Sequence, residues 1–415
     1  MLPTQIVTRD YRGYAGEHAL ELRPLTLLFG RNNAGKSALL RALPFLAASA
    51  RASGAQALDM TCPVVGRGAF DDLRWPFPNG AELPHGMGLG LRWPDGRGLD
   101  LAFAWYDRKW IYVAGIRLDG EANPWHVALP PRGIQQDRAL TFRRRDAPES
   151  EGFRARFEGL QPTNLEGAAP PGLEELAKRL VEFGDEVQWL GASRRPADRL
   201  AEYNELRADP RIAHDGTNII AWLVEHPEAL ASINAWYQGT INARLDVPER
   251  PPVGYEATLT HLGRPELTVN LLDTGEGNIQ VLPVLAALAA AEAGTGPAIV
   301  ALEEPESHLH PRLQMALAER IRRVLEGEQD VRVILETHSE HLLLALQKLV
   351  LTGFPRDHLG LYWVEQLADG RTIASPVELG SDGALGPNWP PGVFDDTLEL
   401  AAELTTLQLE RGGPG

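Results

Sequence analysis

The stretch LLFGRNNAGKSALLRAL, residues 27–43, decides the fold. Glycines stand at 30 and 35, and Lys36 and Ser37 follow the second one, which is the spacing G-x-x-x-x-G-K-[ST]. The apolar run LTLLF before it reads as a buried strand ending at Gly30, and SALLRAL reads as the first turns of a helix. A strand–loop–helix passage turns several backbone N–H groups, and the positive end of the helix dipole, onto one small volume. A triphosphate suits that volume. The cradle would consist of Gly30, Arg31, Asn32, Asn33, Ala34, Gly35, Lys36, Ser37 and Ala38. Lys36 is placed to reach the β- and γ-phosphates and the Ser37 hydroxyl to ligate magnesium, so ATP and Mg2+ are the implied cofactors. Pro44 is expected to bend or end the helix.

Around this motif the chain has the composition of an ordinary soluble globular protein: 415 residues, 44% hydrophobic and 23% charged. Its single cysteine, Cys62, excludes a disulfide framework and favours a reducing compartment. The N-terminus lacks the basic-then-apolar pattern of a signal peptide, and the apolar run IQVLPVLAALAAAEAG is too short to span a bilayer. The expected location is cytoplasmic, without a membrane. A net charge of −16 disfavours a surface coated with phosphate-binding cations but leaves room for a local patch.

Residues 4–30 read as two strands joined near Gly16, and 86–118 as a small antiparallel sheet. Between 119 and 265, Pro/Gly-rich stretches flank helix-like runs such as LEELAKRLVEF, giving the expectation of an inserted, largely helical region. From 266 to 415 strands and helices alternate again and close with a hairpin at Asp369-Gly370, which implies a mainly parallel sheet covered on both faces. The fold class expected is therefore α/β: a P-loop NTPase whose nucleotide domain is assembled from residues 1–118 and 266–415.

Three further stretches carry chemistry. AIVALEEPESHLHP (298–311) delivers Glu303 and Glu304 at the C-terminal end of a strand, where ligands bind in such sheets. In phosphate-loop ATPases the first of two such carboxylates holds magnesium through its water shell and the second polarises the attacking water. VILETHSEH (333–341) ends a strand near His338, which can donate to a γ-phosphate oxygen. LLDTGEGNIQVLP (271–283) is a second helix N-terminus suited to phosphate, without a lysine. A metal cluster of His308, His310 and His341 with His338 is disfavoured, since these histidines have no cysteine or supporting set beside them. Arg143, Arg144 and Arg145 read as a solvated loop, whereas Arg194 and Arg195 are free to approach nucleotide, nucleic acid or a partner.

In this order the motifs resemble those of the ATP-binding-cassette superfamily, and GRNNAGKS is similar to the G-x-N-x-x-G-K-S loop of its RecF, SMC and OLD-type branch. The resemblance implies an ABC/SMC-like head in which Thr274, Gly275 and Gly277 form the signature that contacts the γ-phosphate bound to another subunit. Ser307, Leu309 and His310 then stand in the D-loop. Glu276 and Gly277 depart from the G-Q of the transporter signature, and His310 from the D-loop aspartate. GRGAFDDLRW lies where the Q-loop would be, and NWPPGVFDDTLE resembles the tail of predicted bacterial ATPases of this group. Implied roles are Glu304, His338 and Lys36 in catalysis and Ser37 with Glu303 on magnesium. The implied assembly is a homodimer, or a higher oligomer, around two ATP–magnesium complexes. The implied setting is a bacterial anti-phage defence or DNA-maintenance complex with a separate effector such as a nuclease, because the stretch after His338 is too short to hold one. The alternatives are a RecF-like DNA-binding repair ATPase and, less favoured by the signature, a transporter cassette.

Overall fold

The computed structural model describes residues 1–76, 86–128, 139–145, 147–195, 198–203, 211–390 and 393. Strands β1 (Gln5–Tyr11) and β2 (Tyr14–Glu21) form a hairpin, β3 (Leu25–Gly30) enters the phosphate loop and α1 (Lys36–Arg51) leaves it. The two strands expected over 4–30 are thus three, with the first turn at Arg12-Gly13. Helix α1 runs through Pro44, because burial of Leu39, Leu40, Leu43 and Leu46 holds the helix where proline withholds one backbone bond.

An antiparallel meander follows: β4 (Met87–Arg92), β5 (Gly98–Tyr106), β6 (Trp110–Leu118), β7 (Trp125–Val127), β8 (Leu140–Arg144), β9 (Phe153–Glu158) and β10 (Gln161–Gly167). These strands join β1 and β2 in one nine-stranded sheet, ordered β10-β9-β8-β7-β6-β5-β4-β1-β2. Next come α2 (Leu173–Asp185), β11 (Val187–Leu190), β12 (Ala201–Glu202), α3 (Ile219–Glu225), α4 (Pro227–Ile241), β13 (Ala243–Asp246), β14 (Glu249–Arg250), β15 (Gly254–Tyr255), β16 (Thr258–His261) and β17 (Arg264–Asn270). The region read as largely helical is therefore mixed. Its first strands extend the N-terminal sheet, and β11 belongs to the nucleotide-domain sheet itself. The short strands here are only two to seven residues long, too brief for a clear alternating pattern among the prolines and glycines. Arg143 and Arg144, read as loop, lie half-buried on β8, and Arg144 pairs with Glu121 at 3.0 Å above the Trp125 ring.

The rest is α5 (Glu276–Ala293), β18 (Ile299–Glu303), α6 (Pro311–Leu325), β19 (Arg332–Thr337), α7 (Glu340–Leu351), β20 (Leu359–Gln366) and β21 (Thr372–Val377). The central sheet has the order β11-β18-β19-β3-β20-β21; β11 to β20 are parallel, and β20-β21 is the expected antiparallel hairpin. Alternate residues of its strands face opposite ways. Leu28, Ala301 and Ile334 enter one core with α1, α2 and the antiparallel sheet, whereas Leu27, Phe29, Val300, Leu302 and Leu335 enter a second core with α5, α6 and α7. Covering on both faces explains why β3, β11 and β18 are buried at every position. The stretch NWPPGVFDDTLE lies largely outside the described residues. Among the described residues no helix is long and apolar enough to cross a membrane.

Candidate active site

The C-terminal ends of β3, β18 and β19 meet at one place, and the motifs of Lys36 and Ser37, of Glu304 and of His338 lie there. The phosphate loop is shaped by close approaches. A Cβ on Gly30 would stand 2.1 Å from the Val364 carbonyl oxygen of β20. Gly35, at φ 103, begins α1 in a left-handed conformation, and a Cβ there would meet the Thr372 side chain at 2.8 Å. Asn33 takes φ 61, a region asparagine tolerates better than most residues, so its place in the loop has a backbone reason.

Lys36 is buried, and its Nζ donates to the carbonyls of Gly30 (3.1 Å) and Arg31 (2.9 Å), which centres the ammonium across the loop. Burial lowers its pKa, opposed by the Glu336, Glu304 and Glu306 carboxylates. The Ser37 hydroxyl donates to Glu336 Oε1 at 2.6 Å. Ala34 packs into the first core, while Arg31, Asn32 and Asn33 are exposed.

Glu303 and Glu304 diverge. Glu303 is 1% exposed, and its two oxygens accept from Arg41 Nε and Nη2, each at 2.6 Å. Trp189 Nε1 adds a third bond at 2.9 Å. Glu304 turns out of the strand at φ 42, with its N–H on the Glu336 carbonyl at 2.8 Å, so the two neighbouring carboxylates leave the chain in different directions. Ser307 Oγ donates to Glu304 Oε2 at 3.0 Å, linking the D-loop to the carboxylate read as the water-polarising group. Glu306, buried and raised in pKa by that burial, accepts from Thr337 and from the His338 N–H.

His338 follows β19. Burial, then the Lys36 ammonium, hold its imidazole below the ordinary pKa, against the pull of Glu304. Glu336 is the residue the sequence reading missed. It is 4% exposed, and burial pushes its carboxyl up to about 7 in spite of the Ser37 hydrogen bond. Among the described residues Glu304, Glu336 and His338 form a group whose possible ligand atoms all lie within 4.8 Å of one another. The available signal was the pair of residues before His338: a carboxylate at the end of an otherwise apolar strand.

Arg194 is also better defined than its sequence suggested. It is 3% exposed and donates to the carbonyls of Gly191 (3.0 Å), Glu303 (2.9 Å), Glu304 (2.9 Å) and Gln280 (2.9 Å). It ties the end of β11 and the carboxylate turn to α5. Arg195 is exposed and lies 3.7 Å from Asp215.

The second phosphate-type helix start sits apart in its partners. Thr274 Oγ1 donates to the Leu271 carbonyl at 2.6 Å, and Gly275 begins α5 with open space around it. A Cβ on Gly277 would stand 2.7 Å from the His308 carbonyl, and Glu276 faces the His308 ring at 3.4 Å. The signature and D-loop segments are therefore packed on each other within one chain. His310, standing where the resemblance expects aspartate, caps α6 by accepting from the Arg312 N–H at 3.3 Å. Leu309 is buried beneath this turn.

Residues 235–345 match the family model described as "AAA domain, putative AbiEii toxin, Type IV TA system", a span that holds the signature, both carboxylates and His338. Over 91% of this chain the fold is similar to a solved SmcHead bound to the C-winged helix domain of ScpA, covering 98% of that chain at 11% identity and a TM-score of 0.53. It is likewise similar to an Smc head domain with an extended coiled coil, bound to the C-terminal domain of ScpA and derived from Pyrococcus furiosus. That match covers 97% of this chain and 99% of the other, at 11% identity and a TM-score of 0.51. No curated protein sequence matches the chain.

Proposed function

We propose that this chain, an ABC-superfamily AAA-type ATPase with an SMC-like head fold, binds and hydrolyses ATP at the ends of β3, β18 and β19. The observation that carries the reading is the convergence there of Lys36, Ser37, Glu304 and His338. Lys36 neutralises the β- and γ-phosphates, and backbone N–H groups of residues 30–38 cradle them. Glu304 orients the attacking water and takes up its proton, held in place by Ser307. His338, kept neutral by its surroundings, has a ring N–H to donate to the γ-phosphate.

A divalent cation fits these residues, because Ser37 and a buried carboxylate oxygen on Glu336, without a hydrogen-bond partner among the described residues, stand beside one another. When bound, Mg2+ supplies charge neutralisation at the phosphates.

The signature, with Gly275 exposed and Thr274 and Gly277 half-buried, serves a second copy, giving a two-fold dimer with ATP between Gly30–Ser37 of one subunit and the signature of the other. The dimer works as the motor or switch of a bacterial anti-phage defence or DNA-maintenance complex whose chemistry on the target belongs to a separate effector. The matched model's description as a toxin of a toxin–antitoxin system supports a setting of that kind. Calorimetry with ATP tests the site: wild type binds, and Lys36→Ala, which removes the cation from the phosphates, does not. Equal affinities would overturn the reading. Purified alone, the protein is expected to hydrolyse ATP and leave plasmid, single-stranded DNA and RNA intact with magnesium or manganese.

A further inference from the structure

Two carboxylates compete for the role of cation ligand, and their surroundings separate them. Glu303 and Glu336 are register partners on the adjacent parallel strands β18 and β19, so they project on the same side of the sheet. Strand β19 lies between β18 and β3, which places Glu336 one strand closer to the phosphate loop. The bonding follows this order. Glu303 has both oxygens on the Arg41 guanidinium and a further bond from Trp189, and Arg41 also stacks 5.6 Å from the Trp189 ring. A buried bidentate pair of this kind resists losing one partner, because the other charge would be left without compensation. Glu336 instead has Oε1 on the Ser37 hydroxyl, while its Oε2 is buried with no hydrogen-bond partner among the described residues. An orphaned carboxylate oxygen is costly in the interior and is ordinarily satisfied by a donor or a cation. The Glu304 carboxylate and the His338 ring converge on the same place, within 4.8 Å.

We infer that the divalent cation of this chain is held by Glu336 together with Ser37, and that Glu303, the residue at the usual cation-holding position of the motif, is a buried anchor for Arg41. This inference rests on the ATPase reading for the cation's purpose, but the site itself is defined by the side chains. Hard cations with oxygen ligands, Mg2+ or Mn2+, are the class that suits a carboxylate beside a hydroxyl. Glu303 then acts mechanically, fixing α1 against β18 through Arg41 and holding β11 through Trp189.

The test is a Mn2+ titration followed by electron paramagnetic resonance, on the full chain, with and without ATP, for wild type, Glu336→Gln and Glu303→Gln. Glu336→Gln is expected to weaken Mn2+ binding at least ~10-fold in both conditions, the scale seen on disturbing groups at a metal site. Glu303→Gln, checked for folding by circular dichroism, is expected to keep wild-type Mn2+ affinity. Wild-type affinity in Glu336→Gln overturns the assignment, as does loss of Mn2+ binding in folded Glu303→Gln. If Glu303→Gln does not fold, the Glu336→Gln comparison decides alone. ATP binding measured in EDTA separates the two claims. Glu336-dependent Mn2+ binding without ATP binding sinks the ATPase reading and keeps the cation site; ATP binding with Glu336-independent Mn2+ sinks the cation site alone.

Discussion

The end of the central sheet and the start of α5 are both read as phosphate sites in the proposed function, yet they are built in opposite ways. At the sheet end Lys36, Glu303 and Glu336 are buried and hydrogen-bonded to partners on three elements, β3, α1 and β11. At the start of α5, Glu276 is 60% exposed, a Cβ on Gly275 would stand in open space, and the preceding β17 leaves Leu267 and Val269 on the surface. The first region is organised before any ligand arrives, so its geometry does not have to be assembled at the moment of reaction. In the dimer proposed above, the first region is the half-site of one copy and the second is its complement on the other.

That contrast is broken most forcefully at the finished half. Glu304→Gln should leave ATP affinity unchanged and slow single-turnover hydrolysis at least ~10²-fold, the loss expected for a general base. Wild-type turnover in this variant would remove Glu304 from the chemistry.

Arg194→Met probes the brace between the two regions. Four carbonyls lose their donor in the interior, and the expected cost is about 2–4 kcal/mol of unfolding free energy, read from urea midpoints. A change within the error of the measurement would show that the brace contributes nothing to stability.

Glu336 gives a pH signature. Its carboxyl has a pKa of about 7 in the fold and 4.5 as its ordinary value. Between those pH values the folded chain binds a proton that the unfolded chain has released. Stability from this group is therefore present at low pH and is lost as pH rises through the window, by up to about 3 kcal/mol. In EDTA, Glu336→Gln should match wild type near pH 4.5 and exceed it at pH 8. A difference that stays constant with pH would contradict the burial of a carboxylate with one oxygen left unsatisfied.

The sequence made the sheet end legible because each of its motifs joins a chemical residue to a strand or helix boundary. Gly30, Glu304 and His338 stand where an apolar strand stops and Lys36 where α1 starts, and topology brings such ends together. The partners of those residues were not legible. Arg41 and Trp189 reach the Glu303 carboxylate from α1 and β11, Arg194 reaches the backbone carbonyls of Glu303 and Glu304 from the segment after β11, and no spacing along the chain encodes those contacts. Glu336 was hidden by its neighbour, since His338 drew the reading of that motif. The middle region is mixed where a largely helical one was expected, because its strands are short and find their pairing in the nine-stranded sheet, the central sheet and two small three-stranded sheets.

The smallest effect on the lone chain gives the most direct test of the composite site. Gly275→Trp places a bulky side chain in open space, so the melting behaviour of the monomer should stay within about 0.5 kcal/mol of its parent. The measurement is sedimentation velocity with ATP and magnesium on Glu304→Gln and on the same variant carrying Gly275→Trp. Glu304→Gln is predicted to sediment as a dimer only when ATP is present, and the double variant to bind ATP and remain a monomer. Identical sedimentation of the two with ATP, either both dimers or both monomers, would contradict an ATP site shared between the phosphate loop of one copy and the α5 start of another.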